Sequence, residues 1–159
     1  PCNTAHMFSD DIKAEINIPF IHIAEETINE ITEYFPDKVN IGIMATTACI
    51  NAKIYQEGLS HKAKTCLLPD KYYQEECMKG IFSIKEGSKL LDPSVILSLV
   101  ANHLVEKGAE IIIAGCTEIP LVLKDKDLEV PLVSSTEVLA IKTIEYANHL
   151  TIKRNYNKE

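Results

Sequence analysis

The sequence has no long apolar run: no hydrophobic stretch approaches the roughly 18 residues of a membrane-spanning helix. It also has no basic segment followed by an apolar one, the pattern that directs secretion. Lys and Arg total 16 against 23 Asp and Glu, which gives a formal net charge of -7. Such a charge repels nucleic acids and anionic membranes. We therefore expect a cytoplasmic protein whose partners are small molecules or other proteins, with no nucleic acid and no membrane among them.

The cysteines and histidines lack the spacing of a disulfide framework or a metal site. The five cysteines are odd in number and contain no CxxC pair. The five histidines form no HxxxH pair and no HExxH motif. We therefore expect free thiols in a reducing compartment and no metal site.

Short apolar runs alternate with longer segments of helical periodicity. Five runs have the Ile and Val content of buried strands: PFIHI, VNIGIMAT, KTCLL, EIIIAG and VPLVSS. The clearest helix has Asp92 as its N-cap and ends at Gly108. Ser135 is the expected cap of the last helix, and Ile144 lies on its expected inner face. The alternation predicts an α/β fold, with a mainly parallel sheet and helices on both faces.

The run IIIAGCTEIPL contains the first candidate site. In open parallel sheets, ligands bind beyond the carboxyl ends of the strands. Here an expected strand ends at Gly115, and Cys116, Thr117 and Glu118 follow at an expected helix start. Backbone N–H groups and the helix dipole favour an anion at such a turn, so we expect the pKa of Cys116 to be lowered.

Two further turns have related features. IGIMATTACI places Thr46 and Thr47 after a strand, where their hydroxyls and backbone donors would form a cradle for a carboxylate. The chain begins with PCNTAH, in which Cys2 is followed by small polar residues suited to a helix N-terminus. Cys2 and Cys116, each on such a turn, suggest a site with a sulfur atom on either side.

The motifs PCNTAH and GCTEIPL together resemble the paired cysteine motifs of the aspartate/glutamate racemase superfamily. The resemblance extends from residue 1 to about residue 150. Glu118 after GCT is similar to the aspartate racemase branch, whereas glutamate racemases usually carry His there. The resemblance implies a cofactor-independent racemase with two similar α/β lobes and an amino-acid substrate between them, and we expect a homodimer. It also implies an upstream glycine-rich turn and a substrate-binding arginine, neither of which occurs in this chain.

By this resemblance, Cys2 and Cys116 are the catalytic pair. One thiolate removes the α-proton from one face of the amino acid, and the opposite thiol returns a proton to the other face. Lys85 matches the position at which the aspartate branch carries a substrate-binding lysine, so it would neutralise a side-chain carboxylate. The implied substrate-binding residues are Asn3, Thr4, Thr46, Thr47, Lys85, Thr117 and Glu118.

The resemblance also divides the chain into segments. Residues 1–18 correspond to a remnant of the first lobe, 19–125 to the second lobe, 126–150 to a segment that returns to the first lobe, and 151–159 to a polar tail. Most of the first lobe would then lie outside this sequence. We therefore expect residues 1–159 alone to keep a folded central sheet without racemase activity.

Other interpretations stay open at this stage. The chain is also compatible with a broad-specificity amino-acid racemase, or with the hydantoin racemases and maleate isomerases that share the lobe plan. An interpretation of a different class is an inactive, truncated homologue that binds a small ligand or mediates dimerisation. Among the remaining cysteines, Cys66 and Cys77 are expected to be inert, whereas Cys49 is either a packing residue or a reactive thiol near the site.

Overall fold

The computed structural model describes residues 1–87 and 92–149, and a four-stranded parallel sheet forms its centre. The strands are β1 (Asn40–Ala45), β2 (Thr65–Leu67), β3 (Ile111–Gly115) and β4 (Leu132–Ser134). They lie in the order β2-β1-β3-β4, and every neighbouring pair is parallel. The predicted α/β fold with a parallel sheet is confirmed.

Helices connect the strands and cover both faces of the sheet. They are α1 (Ser9–Glu15), α2 (Ile23–Tyr34), α3 (Thr47–Asn51), α4 (Gln56–His61), α5 (Lys71–Glu86), α6 (Pro93–Glu106), α7 (Ile119–Val122) and α8 (Ser135–Asn148). Single 3₁₀ turns span Thr4–Phe8 and Asp125–Asp127. The polar tail expected at residues 151–159 lies outside the described residues.

Alternation along β3 sends its side chains into two separate hydrophobic cores. Ile112 packs with residues of α5 and α6 on one face of the sheet, including Leu97. Ile113 packs on the opposite face with residues of α2, α4 and α8, including Ile28 and Val138. Because helices cover both faces, the β1 and β3 side chains are almost entirely buried, as their continuous apolar sequence predicts.

The sequence signals of α6 are confirmed. The Asp92 side chain accepts a hydrogen bond from the backbone N–H of Ser94 at 2.9 Å, which caps the helix. Gly108 follows the helix with a φ of 93°, a left-handed conformation that favours glycine.

The expected strand PFIHI is wrong. Residues 19–22 are irregular, and α2 begins at Ile23. The His22 Nδ1 atom accepts a hydrogen bond from the backbone N–H of Glu25 at 3.3 Å, so His22 is the N-cap of the helix. Ile23 is fully buried as the first residue of an amphipathic helix, so the helical period outweighs the short apolar run.

Two details of α8 also differ from the prediction. The N-cap is Ser134, whose hydroxyl accepts from the backbone N–H of Glu137 at 3.3 Å, and Ser135 is the first helical residue. Ile144 is 48% exposed, whereas it was expected to face inward. Glu145 is buried instead, beside Lys142 at 3.0 Å, so an ion pair occupies the inner face of the last turns.

The sheet continues into the segment 126–150 that we expected to return to a first lobe. β4 lies in this segment and pairs with β3, with Leu132 opposite Ile112 and Ser134 opposite Ala114. The segment therefore contributes a strand to the same sheet as β1 and β3. The division of the rest of the chain between two lobes stays a prediction.

None of the helices within residues 1–87 and 92–149 combines the length and the apolar character that crossing a membrane requires.

Lys64 fastens the loop that leads into β1. Its side chain is almost entirely buried, and its ammonium donates to the carbonyl oxygens of Phe35, Pro36 and Lys38 at 3.2, 3.4 and 2.6 Å. These carbonyls end α2 and begin the approach to β1, so one cation satisfies three acceptors at once.

We predict that Lys64→Met lowers the free energy of unfolding by about 3 kcal/mol, because it leaves these carbonyls without a charged donor. Urea denaturation followed by circular dichroism measures the change. The matched control is Lys62→Met, since Lys62 is exposed. Equal stability of the two variants would show that the three hydrogen bonds contribute nothing net.

Candidate active site

The register of the sheet brings the candidate turns to one edge. Ala45 at the end of β1 lies opposite Gly115 at the end of β3, and Ser134 at the end of β4 lies opposite Ala114. The chain therefore leaves all three strands at the same level. The turns that begin with Thr46, Cys116 and Ser135 emerge side by side at the carboxyl edge, where ligands bind in parallel sheets.

Gly115 makes this close arrangement possible. A Cβ atom at this position would lie 3.2 Å from each of three atoms: the Cβ of Ala45, the carbonyl oxygen of Met44 and the Cε2 atom of Tyr55. Two of these are fixed by backbone and a third belongs to a buried ring, so none has room to move. The absence of a side chain lets the β3 turn lie directly against β1.

Cys116 belongs to a compact cluster with three other predicted site residues. Its thiol, 7% exposed, donates to the Oε2 atom of Glu118 at 2.9 Å. The Thr117 hydroxyl donates to the same oxygen at 2.9 Å. The Lys85 ammonium lies 3.7 Å from the other carboxylate oxygen, Oε1. The structure thus joins Lys85, Cys116, Thr117 and Glu118 around one carboxylate.

The expected lowering of the Cys116 pKa is wrong. Burial, together with the hydrogen bond to Glu118, raises the pKa of Cys116 to about 12. The helix after this turn is only four residues long and begins at Ile119, so it supplies a weak dipole. Desolvation and an adjacent negative charge therefore outweigh the helix terminus, and the thiol is protonated at neutral pH.

Glu118 is the charged member of this pair. Partial burial acts to raise the pKa of its carboxyl, but the hydrogen bonds from Cys116 and Thr117 outweigh that effect and the pKa is lowered. The proton of this hydrogen bond therefore stays on Sγ, so a neutral thiol donates to a carboxylate.

The Cys2 turn lies against the β1 turn. Cys2 itself is exposed, and the hydroxyl oxygens of Thr4 and Thr46 are 2.8 Å apart. The Nδ1 atom of His6 lies 2.8 Å from the carbonyl oxygen of Cys2 and closes the 3₁₀ turn that follows. Burial, with a smaller contribution from the nearby Cys2 thiol, raises the pKa of Cys49 to about 11. Cys49 is therefore a buried, protonated neighbour of Cys2.

Thr46 and Thr47 are already hydrogen-bonded within the protein. Thr46 caps α3 by accepting from the backbone N–H of Cys49 at 3.2 Å. Thr47 accepts from the Nε2 atom of Gln74 at 3.2 Å, and the same nitrogen donates to the carbonyl oxygen of Ala45 at 3.0 Å. The side chain of Thr47 is exposed, so its hydroxyl has a free side for a ligand.

Asn3 is the predicted site residue that lies deepest. It is 3% exposed, and both ends of its amide are used: Oδ1 accepts from the Tyr55 hydroxyl, and Nδ2 donates to Ser135 Oγ at 3.0 Å. No local pattern indicates Tyr55, Gln74, or Ser135 as a hydrogen-bonding residue. Each becomes part of the site only through contacts between distant segments.

Within the part of the chain that the structure describes, no group of three or more His, Cys, Asp or Glu side chains is placed to hold a metal ion.

We predict that Glu118→Gln lowers the pKa of Cys116, because it removes the negative charge beside the thiol while keeping its size. Only the thiolate reacts with iodoacetamide, so alkylation of Cys116 at pH 8 rises by about tenfold, measured by peptide mass spectrometry. The control is Glu129→Gln at an exposed position. A slower or unchanged reaction would mean that Glu118 does not set the protonation state of the thiol.

Comparison with known proteins agrees with this geometry. A family model described as Asp/Glu/Hydantoin racemase matches residues 1–143. The chain is 30% identical over 144 residues to the broad specificity amino-acid racemase RacX of Bacillus subtilis. It is 34% identical over 145 residues to a protein of Pectobacterium carotovorum subsp. carotovorum described as uncharacterized and lying in the pnlA 3′ region. Its structure resembles that of an aspartate racemase homologue from Pyrococcus horikoshii, with a TM-score of 0.77 and 28% identity.

The similarity covers most of this chain and different shares of the relatives. It covers 91% of this chain and 61% of RacX, and 92% of this chain and 64% of the Pyrococcus protein. For the Pectobacterium protein the shares are 89% and 95%. The chain thus spans less than two thirds of RacX and of the Pyrococcus protein. Because the family model extends over residues 1–143, the chain belongs to the Asp/Glu/Hydantoin racemase family.

Proposed function

We propose that this protein is a cofactor-independent amino-acid racemase in which Cys2 and Cys116 are the opposed acid and base. The observation that carries the proposal is the Cys116 thiol, hydrogen-bonded to the Glu118 carboxylate at the end of β3, with the Cys2 turn against the neighbouring β1 turn. The name of RacX, which is 30% identical, supports racemase activity, and the name of the Pyrococcus homologue supports the family.

The protonation state of Cys116 suits a two-base reaction. Cys116 rests as a thiol, so it is the proton donor when Cys2, as the thiolate, removes the α-proton from the opposite face. The α-proton ends on Cys2, the Cys116 proton ends on the α-carbon, and Cys116 is left as a thiolate. Each turnover therefore inverts the amino acid and exchanges the protonation states of the two sulfur atoms.

The reverse direction starts from the state that the forward turnover leaves. For the other enantiomer, the Cys116 thiolate takes the α-proton and the Cys2 thiol gives its own proton to the α-carbon. Glu118 Oε2 accepts the 2.9 Å hydrogen bond of Cys116 whenever this sulfur carries a proton. Lys85, 3.7 Å from the other carboxylate oxygen, offsets the negative charge that Cys116 and Glu118 carry together when the thiol has lost its proton.

Aspartate is the favoured substrate in this proposal. Glu118 follows the pattern of the aspartate branch, and the description of the Pyrococcus protein as an aspartate racemase homologue supports the same substrate. Broad specificity is the second candidate, because RacX carries that name and because Lys85 is already paired with Glu118. An ion-paired lysine has less charge to offer a side-chain carboxylate than a free one.

The proposal includes a cytoplasmic homodimer and the division into two lobes. The support for a covering lobe or subunit is the apolar surface of the first 18 residues, where Phe8 is 54% and Ile18 is 71% exposed. Groups of exposed apolar side chains are typical of surfaces that another lobe or subunit covers.

We predict that Cys2→Ser and Cys116→Ser each lower kcat for racemisation by about a thousandfold or more, since a hydroxyl is far less acidic than a thiol. Polarimetry or chiral chromatography of full-length protein with L- and D-aspartate measures both directions. Cys66→Ser is the matched control, because Cys66 lies on β2 away from the site. Near-normal turnover by either site variant would remove that cysteine from the mechanism.

We predict that Lys85→Met raises KM for aspartate by about tenfold or more and leaves KM for alanine unchanged, because only aspartate loses a charged partner. Lys79→Met is the control on the same helix, where Lys79 pairs with Glu76. If aspartate and alanine are affected equally, Lys85 acts only through Glu118 and the broad-specificity candidate is favoured.

A further inference from the structure

Asn3 fastens the Cys2 turn to the rest of the protein. It is the only buried residue among residues 1–22, and it directly follows Cys2. The first 3₁₀ turn and α1 contribute no other buried side chain. The Cys2 turn is held by the hydrogen bonds of this amide, by the contact between Thr4 and Thr46, and by the ring of His6 against that of His22.

The hydrogen bonds of Asn3 belong to a chain with a defined direction. The Ser135 hydroxyl donates to the carbonyl oxygen of Ala114 at 2.9 Å, so its oxygen accepts from Asn3 Nδ2 at 3.0 Å. Asn3 Oδ1 therefore faces Tyr55, whose hydroxyl donates to it. Each donor group in the chain has one acceptor, and the chain ends on the carbonyl of Ala114, two residues before Cys116.

Tyr55 contacts both thiol-bearing turns. Its hydroxyl binds Asn3, next to Cys2, and its ring lies against Gly115, next to Cys116, within 3.2 Å of where a Cβ atom would stand. The side chain is 1% exposed. Burial raises the pKa of Tyr55 far above its ordinary value, so the hydroxyl is protonated and acts as a donor at neutral pH.

We propose that Tyr55, Asn3 and Ser135 are positioning residues that set the separation between the Cys2 and Cys116 turns. The proposal rests on the racemase function above, because the separation matters to a reaction that needs one sulfur on each side of the α-carbon. A displacement of about 1 Å in reacting groups costs on the order of a hundredfold in rate. Asn3 thus serves the reaction by holding the turn of its neighbour Cys2.

The test is Tyr55→Phe, which removes one oxygen and keeps the ring against Gly115. Tyr72→Phe, at an exposed position on α5, is the matched control. Two measurements are made on the full-length protein: kcat and KM for racemisation, and hydrogen exchange of the Ala5 and His6 amides. These amides donate to the carbonyls of Cys2 and Asn3 at 3.2 and 3.1 Å, so they report whether the turn is docked.

We expect Tyr55→Phe to lower kcat by about ten- to a hundredfold with KM within about threefold. Exchange at Ala5 and His6 rises by about tenfold, while exchange in β3 is unchanged. A kcat within about twofold of the unsubstituted protein would overturn the proposal. A raised KM at unchanged kcat would also overturn it, since the chain would then serve substrate binding.

Ser135→Ala provides a second variant that keeps the Ser134 cap, with Ser60→Ala at an exposed position as its control. Ser135→Ala tests the proposal instead if Tyr55→Phe loses hydrogen-exchange protection in β3 and so disturbs the sheet itself. Since both variants break one chain, the double variant has a kcat within about threefold of the worse single variant. If the two effects on kcat multiply in the double variant, the residues act independently, and that result would overturn the proposal.

The two proposals fail in different ways. If the unsubstituted protein racemises no amino acid, the proposed function is wrong, and the exchange measurement alone then tests whether the chain docks the Cys2 turn. If the protein racemises amino acids but Tyr55→Phe and Ser135→Ala change neither rate nor exchange, the function stands and the positioning role is wrong.

Discussion

The parallel pairing of β1 with β3 is the constraint on which the candidate site depends. The pairing runs from Ile41 opposite Ile111 to Ala45 opposite Gly115, so both strands end at the same level. A slip of one residue would move every side chain of the shifted strand to the opposite face of the sheet, and so into the other hydrophobic core. With the pairing fixed, the turn after β1 and the turn after β3 leave the sheet together, and Gly115 permits a contact that any side chain would prevent.

In the proposed mechanism, different surroundings give the two thiols different roles. Cys116 is buried beside a carboxylate, which raises the pKa of its thiol, whereas Cys2 is exposed. A two-base reaction at a free amino acid needs one protonated and one deprotonated group, and different surroundings for the same residue type are a general way to obtain them. The Glu118 carboxylate makes the surroundings of Cys116 differ from those of Cys2. Lys85 stabilises the charge of this carboxylate by pairing with it.

Local patterns predicted the fold well and the interactions of the site less well. The strands around Ile43 and Ile113 follow from apolar runs, because burial on both faces leaves a continuous signal. The raised pKa of Cys116 could not be predicted in this way. A short motif indicates the helix terminus, but it does not show how deeply the thiol is buried or that Glu118 contacts it. Tyr55 and Asn3 are 52 residues apart in sequence, and nothing around either residue indicates the other. Long-range hydrogen bonds depend on the packed fold, so only the structure supplies them.

Solvent labelling tests the two-thiol account most directly. With L-aspartate in deuterated water, at low conversion, two opposed monoprotic acids predict D-aspartate that carries one deuterium at the α-carbon, because the proton comes from the second thiol. The remaining L-aspartate should carry none, because the abstracted proton stays on the first sulfur, on the opposite face. Chiral separation followed by mass spectrometry measures both pools. D-aspartate that retains the original α-hydrogen, or L-aspartate that is labelled before any product forms, would show that a single base serves both faces and would contradict the account.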